Sequence, residues 1–391
     1  MSPALGGVAA ALEAGRAAGI APALAAAVLR DGALVHASWH GELPAPAPRP
    51  LRPDDAFDVA SLTKVMVTTT LAAQLVDEGR LALDAPAARV LPGFEAAGKG
   101  EVTVRQLLAH ASGLPRWRPY FERAVKDPEA GGAFRPAGER PPALAAAFAR
   151  GKALVAEAVL AEPLEVPPGA RAEYGDPAFI ALGLALERLG GAPLGAQAEA
   201  RIFRPLGLGS TFYLDALDPP AAARRAAGIA FAPTGWCPHR RETIQGTVND
   251  ANAYAMGGVA GHAGLFSTVL EVAAFGQAWL EAVHGRPSPV PAAAAAEFTR
   301  RDAAPGSERA LGWDTPSRGT SSLGARLGRG RRGAIGHLGF TGTSLWIDLD
   351  AAVVCALLTN HVHPSGTNDK ARMRGLRQVF HDAVAEAVGV G

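Results

Sequence analysis

The sequence predicts an α+β protein in which strands from both ends of the chain share one sheet and the middle forms a helical lobe. Near the start, apolar runs at 22–29 and 33–39 flank an Asp-Gly dipeptide suited to a two-residue hairpin turn. Near the end, 343–347 and 351–358 have the pattern of two antiparallel strands. Between these regions most periodic segments are helical, so we expect a cleft between two lobes.

The predicted helices can be placed by their periodicity and by the residues at their ends. The patterns predict helices over 61–78, 103–109, 143–160, 178–189 and 268–280, with a last one near the C-terminus. Asp176 is expected to cap the fourth, and Thr268 with Glu271 to form a capping box on the fifth. Five apolar residues are expected on one face of the last helix: Leu376, Val379, Phe380, Ala383 and Ala387.

Length and composition favour one large two-part domain. The chain has 391 residues, 48% of them hydrophobic and 19% charged, which is enough to bury a sizeable core. We expect a single domain over 1–391, with 1–60 and 221–391 forming the α/β lobe and 61–220 forming the mainly helical lobe.

The charge balance and the cysteines exclude several classes of partner. Lys and Arg number 38 against 37 Asp and Glu, so the net charge of +1 provides no field for nucleic acid or an anionic membrane. Cys237 and Cys355 are too far apart for a disulfide framework or a zinc site. No signal peptide and no long apolar span is visible. We expect a cytoplasmic protein with a small-molecule substrate, or a periplasmic one if a leader preceded this sequence; the oligomeric state is left open.

Ser61 and Lys64 lie three residues apart at the start of the first long helical pattern. On a helix this spacing puts a hydroxyl and an amine on one face, within reach of each other. A lysine can take the proton of a serine only if its pKa falls from about 10.4. We predict Ser61 as nucleophile and Lys64 as its activating neighbour; the alternative is an exposed serine beside a solvated lysine.

Tyr174-Gly175-Asp176 follows a Pro-Pro-Gly turn and precedes a predicted helix. A neighbouring ammonium lowers the pKa of a phenol because it favours phenolate, but a pKa near 7 would need about 4 kcal/mol and several positive neighbours. We predict Tyr174 as the third catalytic residue and Asp176 as part of the substrate site. The alternatives are a core aromatic and a simple helix cap.

His337-Leu338-Gly339 and the following Phe340 lie on a predicted strand that enters the C-terminal hairpin. Gly339 would let the backbone approach a ligand closely, and the Phe340 amide could act with that of Ser61 as an oxyanion hole. His337 is expected to face the cleft, although a lone histidine is more often a satisfied surface or core residue.

These motifs together resemble a known family. Ser-x-x-Lys, Tyr-x-Asp about a hundred residues later and His-x-Gly on a late strand are similar, in this order, to the class C-like branch of the serine beta-lactamase and penicillin-binding-protein superfamily. The segments 104–115, 205–208 and 257–268 resemble the same branch, so the likeness covers nearly the whole chain. It implies a five-stranded antiparallel sheet flanked by helices, plus an all-helical lobe.

The resemblance also implies a mechanism. Ser61 would attack a carbonyl, Lys64 and Tyr174 would shuttle its proton to the leaving group, and water would later release the acyl group. No metal or organic cofactor is implied.

Two departures from the family pattern affect the expected substrate. Penicillin-recognising members carry Lys-Thr-Gly where this chain has His337-Leu338-Gly339, and Tyr-x-Asn where it has Asp176 as third residue. A histidine lacks the permanent charge that would hold a substrate carboxylate, and Asp176 removes an amide donor. We expect a serine hydrolase acting on an ester, a small amide or a beta-lactam, with esters favoured. A D-alanyl-D-alanine carboxypeptidase and a non-catalytic binding protein are the alternatives.

Two other patterns are set aside. Residues 93–100 nearly match a phosphate-binding loop, but Gly100 replaces the Ser or Thr that binds magnesium. His361 and His363 could form a metal pair, but no third ligand stands at useful spacing. We predict neither a nucleotide nor a metal site.

Overall fold

The computed structural model describes residues 6–44, 48–319 and 321–390. Its strands are β1 (Ala23–Arg30), β2 (Ala33–Leu43), β3 (Arg49–Pro50), β4 (Phe57–Asp58), β5 (Phe212–Tyr213), β6 (Trp236–Cys237), β7 (Glu242–Thr243), β8 (Leu265–Ser267), β9 (Ala334–Leu338), β10 (Ser344–Asp348) and β11 (Val353–Thr359). Its α-helices are α1 (Gly6–Ala17), α2 (Thr70–Asp77), α3 (Val104–Leu108), α4 (Phe121–Lys126), α5 (Ala145–Ala161), α6 (Pro177–Gly190), α7 (Leu194–Ala198), α8 (Arg204–Leu206), α9 (Pro219–Ala226), α10 (Ala251–Ala255), α11 (Val269–Val283), α12 (Ala292–Phe298) and α13 (Lys370–Ala387).

One antiparallel sheet joins the two ends of the chain. Its strand order is β3-β2-β1-β11-β10-β9, so the N-terminal hairpin pairs with the C-terminal strands through β1 and β11. The predicted α+β class and the helix-flanked sheet are therefore confirmed. The sheet has six strands rather than five because the two-residue β3 extends its edge.

The central strands are apolar on both faces because helices cover both. Along β1, Ala23, Ala25 and Ala27 join the main core, whereas Leu24 and Val28 join a second core on the opposite face. Helix α11 packs on the first face, and residues of α1 and α13 belong to the second core. A strand buried on both faces carries a nearly continuous apolar run, which is the pattern seen in the sequence.

Three details of the predicted helices are wrong. Asp176 occupies the N-cap position of α6 without making a capping hydrogen bond. Thr268 makes none on α11 either, and the Glu271 carboxylate instead accepts hydrogen bonds from the Ser210 amide at 2.8 Å and the Thr211 hydroxyl at 2.6 Å. On α13, Val379 is 57% exposed because it lies off the face that packs on the sheet.

Lys99, in the segment 93–100 that nearly matches a phosphate-binding loop, has a structural role. The Lys99 ammonium donates hydrogen bonds to the carbonyls of Ala96, Leu160 and Glu162, so it ties the loop to the end of α5. Within the described ranges, no cluster of three His, Cys, Asp or Glu residues could hold a metal ion.

In the part of the chain that the structure covers, no single helix is long and apolar enough to cross a membrane. One sharply bent pair, Pro177–Gly190 with Leu194–Leu206, meets the length and composition criteria only when the two are taken together.

Candidate active site

Ser61 follows a strained turn at the end of β4. The buried Asp58 carboxylate accepts hydrogen bonds from the amides of Ala60 at 2.8 Å and Asn249 at 2.7 Å. Ala60 has a φ of 49°, in the left-handed region that L-residues rarely adopt. Burial raises the pKa of Asp58 to about 6. The two hydrogen bonds of Asp58 therefore hold the turn that presents Ser61.

The helix after Ser61 is not uniformly α-helical. Residues 64–69 form a π-helical segment that continues directly into α2, where the sequence predicted one regular helix. The Thr68 hydroxyl in this segment donates a hydrogen bond to the carbonyl of Gly261 at 2.6 Å. The π-helical segment therefore packs against the glycine-rich segment 257–264, and the Lys64 side chain lies between that segment and Ser61.

The Lys64 side chain is completely buried and has three hydrogen-bond acceptors. Its Nζ lies 2.9 Å from Ser61 Oγ, 2.7 Å from Asp176 Oδ1 and 3.2 Å from the carbonyl oxygen of His262. Burial acts to lower the pKa of Lys64, but the charge and hydrogen bond of the Asp176 carboxylate oppose it, and the pKa is raised. The resting lysine is therefore an ammonium, whereas the sequence argument required a lowered pKa.

Asp176 is the group that keeps Lys64 charged. We expect Asp176→Asn to move the low-pH limb of kcat/KM toward lower pH, because an amide does not raise the pKa of Lys64 as the carboxylate does. The measurement is the pH profile of ester hydrolysis. Asp127→Asn, which removes a carboxylate paired with Arg150, is the control and should leave the profile in place. An unmoved low-pH limb in Asp176→Asn would contradict this assignment.

Tyr174 lies on the other side of the nucleophile. Its hydroxyl donates to Ser61 Oγ at 2.8 Å, and its ring centroid is 4.9 Å from Lys64 Nζ and 5.0 Å from the guanidinium carbon of Arg309. Burial raises the pKa of Tyr174, and Lys64 opposes this only in part. Tyr174 is therefore a neutral phenol at rest and can donate a proton.

The turn between β9 and β10 lies beside the β4 turn. The hydroxyls of Thr341 and Thr343 donate hydrogen bonds to the carbonyls of Asp58 and Val59 at 2.8 and 3.0 Å. A Cβ on Gly339 would lie 2.7 Å from the Val59 carbonyl oxygen, so the close approach that this glycine permits is to β4 rather than to a ligand. The two turns are held together by these contacts.

Two backbone amides are available in these turns. Within the described residues, neither the Ser61 amide nor the Phe340 amide donates to a protein acceptor. Both residues line the same cavity. Two free amides beside a nucleophile are the arrangement that stabilises an oxyanion.

His337 is buried rather than open to the cleft. It is 1% exposed, its ring centroid lies 5.8 Å from that of Tyr174, and its Nε2 has no hydrogen-bond partner among the described residues. Burial lowers its pKa to about 4, with Lys64 and Arg309 adding to the effect and Asp314 opposing it. His337 is therefore neutral at pH 7 and places no positive charge at the position of the usual family lysine.

The buried neutral His337 should affect stability as a function of pH. Its lowered pKa means that the unfolded chain binds a proton which the folded chain does not, so the free energy of unfolding rises as the pH rises from about 4 to about 6.5. We expect His337→Gln to remove about 3 kcal/mol from that rise. Chemical denaturation across this pH range measures it. His284→Gln is the control, and an equal rise in wild type and His337→Gln would contradict the assignment.

Several residues of the site were not identified from the sequence. The His110 ring packs on Tyr174 at 4.7 Å between centroids, and its Nδ1 accepts the Gly175 N–H at 3.2 Å. Burial holds the pKa of His110 well below its usual value, which suits an acceptor. Arg309 forms an ion pair with Asp314 above the Tyr174 ring.

A pair formed by the buried His262 and the partly exposed Asp250 supports the lysine. His262 Nε2 lies 2.8 Å from Asp250 Oδ1, and the His262 backbone carbonyl is the third acceptor of Lys64. Burial acts to raise the pKa of Asp250, but His262 outweighs it and lowers the pKa. Asp250 also caps α10 by accepting the Ala253 amide at 2.7 Å. His262 lies in the segment 257–268, which resembles the family but gave this histidine no role.

Two cavities meet at Tyr174. One of about 480 Å³ contains Ser61 and Asp176 together with the exposed aromatics Trp117 and Phe340. The other, of about 520 Å³, is lined largely by charged and polar side chains, including Arg309. Both have the size of small-molecule sites.

The family model described as Beta-lactamase matches residues 8–379. A protein of Salmonella heidelberg named "Putative D-alanyl-D-alanine carboxypeptidase" is 30% identical over 335 residues, which cover 80% of this chain and 71% of that protein.

Solved structures share the architecture. A penicillin-binding protein homologue from Caulobacter crescentus superposes with a TM-score of 0.70 at 20% identity, covering 98% of each chain. A family VIII carboxylesterase gives a TM-score of 0.69 at 22% identity over 99% of this chain and 98% of that one. Because the family model spans nearly the whole sequence, the chain belongs to the Beta-lactamase family of serine hydrolases.

Proposed function

We propose that the chain hydrolyses carboxylic esters through a covalent acyl-enzyme on Ser61. The observation that carries the proposal is the Ser61 hydroxyl, which receives hydrogen bonds from Lys64 Nζ at 2.9 Å and from the Tyr174 hydroxyl at 2.8 Å. A serine flanked by an amine and a phenol, beside two free amides, has the groups that acyl transfer requires.

The proton route follows from the three acceptors of Lys64. For Lys64 to take the proton of Ser61, its ammonium must first lose a proton to solvent, a loss that the Asp176 carboxylate 2.7 Å away opposes. Ser61 Oγ then bonds to the carbonyl carbon, and the carbonyl oxygen is received by the amides of Ser61 and Phe340. Tyr174 gives its proton to the leaving alkoxide and regains one through Lys64. Water repeats the sequence to release the acid.

The neutral side chain at the position of the usual family lysine favours esters over beta-lactams. His337 is neutral at pH 7, and the nearby Arg309 is already paired with Asp314. A substrate carboxylate would therefore find no unpaired cation at these two positions; the other cationic side chains that line the Ser61 cavity, Arg116 and Lys370, are exposed. An ester substrate does not need such a cation, because the enzyme recognises its carbonyl group and its apolar parts.

A D-alanyl-D-alanine carboxypeptidase is the second candidate. The observation that favours it is the 30% identical Salmonella protein, whose printed name gives that activity. Its peptide substrate ends in a carboxylate, for which the neutral His337 supplies no charge.

A substrate panel separates these proposals. Purified protein is tested with p-nitrophenyl acetate and butyrate, with nitrocefin, and with a peptide ending in D-Ala-D-Ala. We expect kcat/KM for the esters to exceed that for the other two. Faster release of D-alanine would establish the peptidase instead, and faster nitrocefin opening a beta-lactamase. If no substrate is turned over and no fluorophosphonate adduct forms, a non-catalytic binding protein is the conclusion.

A further inference from the structure

We propose that Trp117 and Phe340 form a clamp for an apolar acyl group, so that the preferred substrates are esters of medium-length aliphatic or aromatic acids. This inference rests on the proposed ester hydrolysis. Trp117 is 47% exposed and Phe340 is 44% exposed, and both line the cavity that contains Ser61. Large exposed aromatics that share one cavity mark a binding surface rather than ordinary surface residues.

Phe340 is carried by a rigid segment. It lies in the β9–β10 turn, which the Thr341 and Thr343 hydroxyls fasten to β4, and its carbonyl accepts a hydrogen bond from the Asn368 side chain. Its exposed ring is therefore held beside its own free amide. An acyl group whose oxygen meets that amide would extend past the ring.

Trp117 is carried by a segment tied to the catalytic motif. The Asp176 amide donates to the Arg116 carbonyl at 3.0 Å, and a Cβ on Gly175 would lie 2.8 Å from the Pro115 carbonyl oxygen. The loop before Trp117 thus packs directly on Tyr174-Gly175-Asp176. Both aromatics are positioned by the elements that position the catalytic groups, which lowers the entropy cost of binding.

The two cavities that share Tyr174 indicate which half of the ester each receives. Tyr174 protonates the leaving alcohol in the proposed mechanism, and the cavity on its far side is lined by Arg171, Glu173, Arg309 and Asp314. Those charged groups suit a polar alcohol. The cavity with Trp117 and Phe340 also has Ala60, Ala251 and Ala263 in its wall. Arg116 and Lys370 line it as well, but most of its surface is apolar, so it suits the apolar acyl group.

The test is a series of p-nitrophenyl esters from acetate through butyrate and hexanoate to octanoate. In wild type we expect kcat/KM to rise by up to about 4-fold per methylene until the cavity is filled. Trp117→Ala and Phe340→Ala should each reduce the octanoate-to-acetate ratio about 10-fold. Trp236→Ala removes a tryptophan that is 50% exposed but outside this cavity, and it should keep the wild-type ratio.

The outcomes distinguish the clamp from the chemistry. Turnover of acetate with a flat chain-length profile, or with ratios unchanged in both alanine variants, would overturn the clamp and leave ester hydrolysis standing. If no ester is turned over, octanamide binding is measured instead by tryptophan fluorescence or calorimetry. Binding that is 10-fold weaker in Trp117→Ala would then support the clamp but not ester hydrolysis. Equal binding in wild type and both variants would overturn the clamp.

Discussion

Replacing Lys64 by methionine is expected to lower kcat/KM for ester hydrolysis by about 10⁴-fold. Methionine fills similar volume in a fully buried position but provides neither a proton acceptor nor a charge for Ser61 and Asp176. The loss should fall mainly on kcat, because Lys64 contacts the nucleophile rather than the substrate. Steady-state kinetics with p-nitrophenyl butyrate measures it.

Two further variants test whether the loss of activity comes from the missing amine of Lys64. Lys99→Met removes another buried lysine, whose three hydrogen bonds are to carbonyls outside the site, so it should reduce stability and leave kcat/KM in place. Lys64→Arg keeps the positive charge but cannot give up its proton. If arginine restored most of the activity, the charge alone would be sufficient and the proposed proton transfer through Lys64 would be wrong.

Replacing Tyr174 by phenylalanine should lower kcat/KM by about 10³-fold. The change removes one oxygen, the hydroxyl 2.8 Å from Ser61 Oγ, and keeps the ring that packs against His110 and lies under Arg309. Because the leaving alkoxide would lose its proton donor, the deficit should grow as the alcohol becomes less acidic. Comparing phenyl and ethyl esters measures that dependence.

The matched control for this change is Tyr120→Phe. Its hydroxyl donates to Glu162 at 3.0 Å, and it lies outside the cavity of Ser61. It should keep wild-type kcat/KM. A Tyr174→Phe deficit that is the same for good and poor leaving groups would contradict the role of Tyr174 as proton donor.

The fold was largely predictable because its strands carry strong local patterns. The two-sided burial of β1 and β11 leaves nearly continuous apolar runs in the sequence. β3 has only two residues, too few to show a period, and so the sixth strand was missed. The π-helical segment from Lys64 was missed because apolar spacing indicates a helix without showing its hydrogen-bond pattern.

The candidate site was predictable only where its residues form motifs. Ser61, Lys64 and Tyr174 were chosen from their spacing and order, and the structure places them within hydrogen-bonding distance; their catalytic roles stay predictions. Arg309 and Asp314 reach Tyr174 from a distant loop and leave no local pattern.

Asp176 shows how a long-range contact overrides a local one. Its place before α6 predicted a helix cap, but its carboxylate binds Lys64, which comes from a segment more than a hundred residues earlier. A buried ammonium without a partner costs several kcal/mol, whereas a lost cap costs about 1 kcal/mol. The Asp176 side chain therefore points to Lys64, because leaving that ammonium unpaired would cost more than losing the cap.

The central claim is that Ser61 carries the acyl group during turnover. Acid quenching during hydrolysis of p-nitrophenyl butyrate, followed by proteolysis and mass spectrometry, tests it most directly. We predict a butyryl group on the peptide that contains Ser61, and none in Ser61→Ala. Steady turnover with the butyryl group on another residue, or undiminished turnover by Ser61→Ala, would contradict the account.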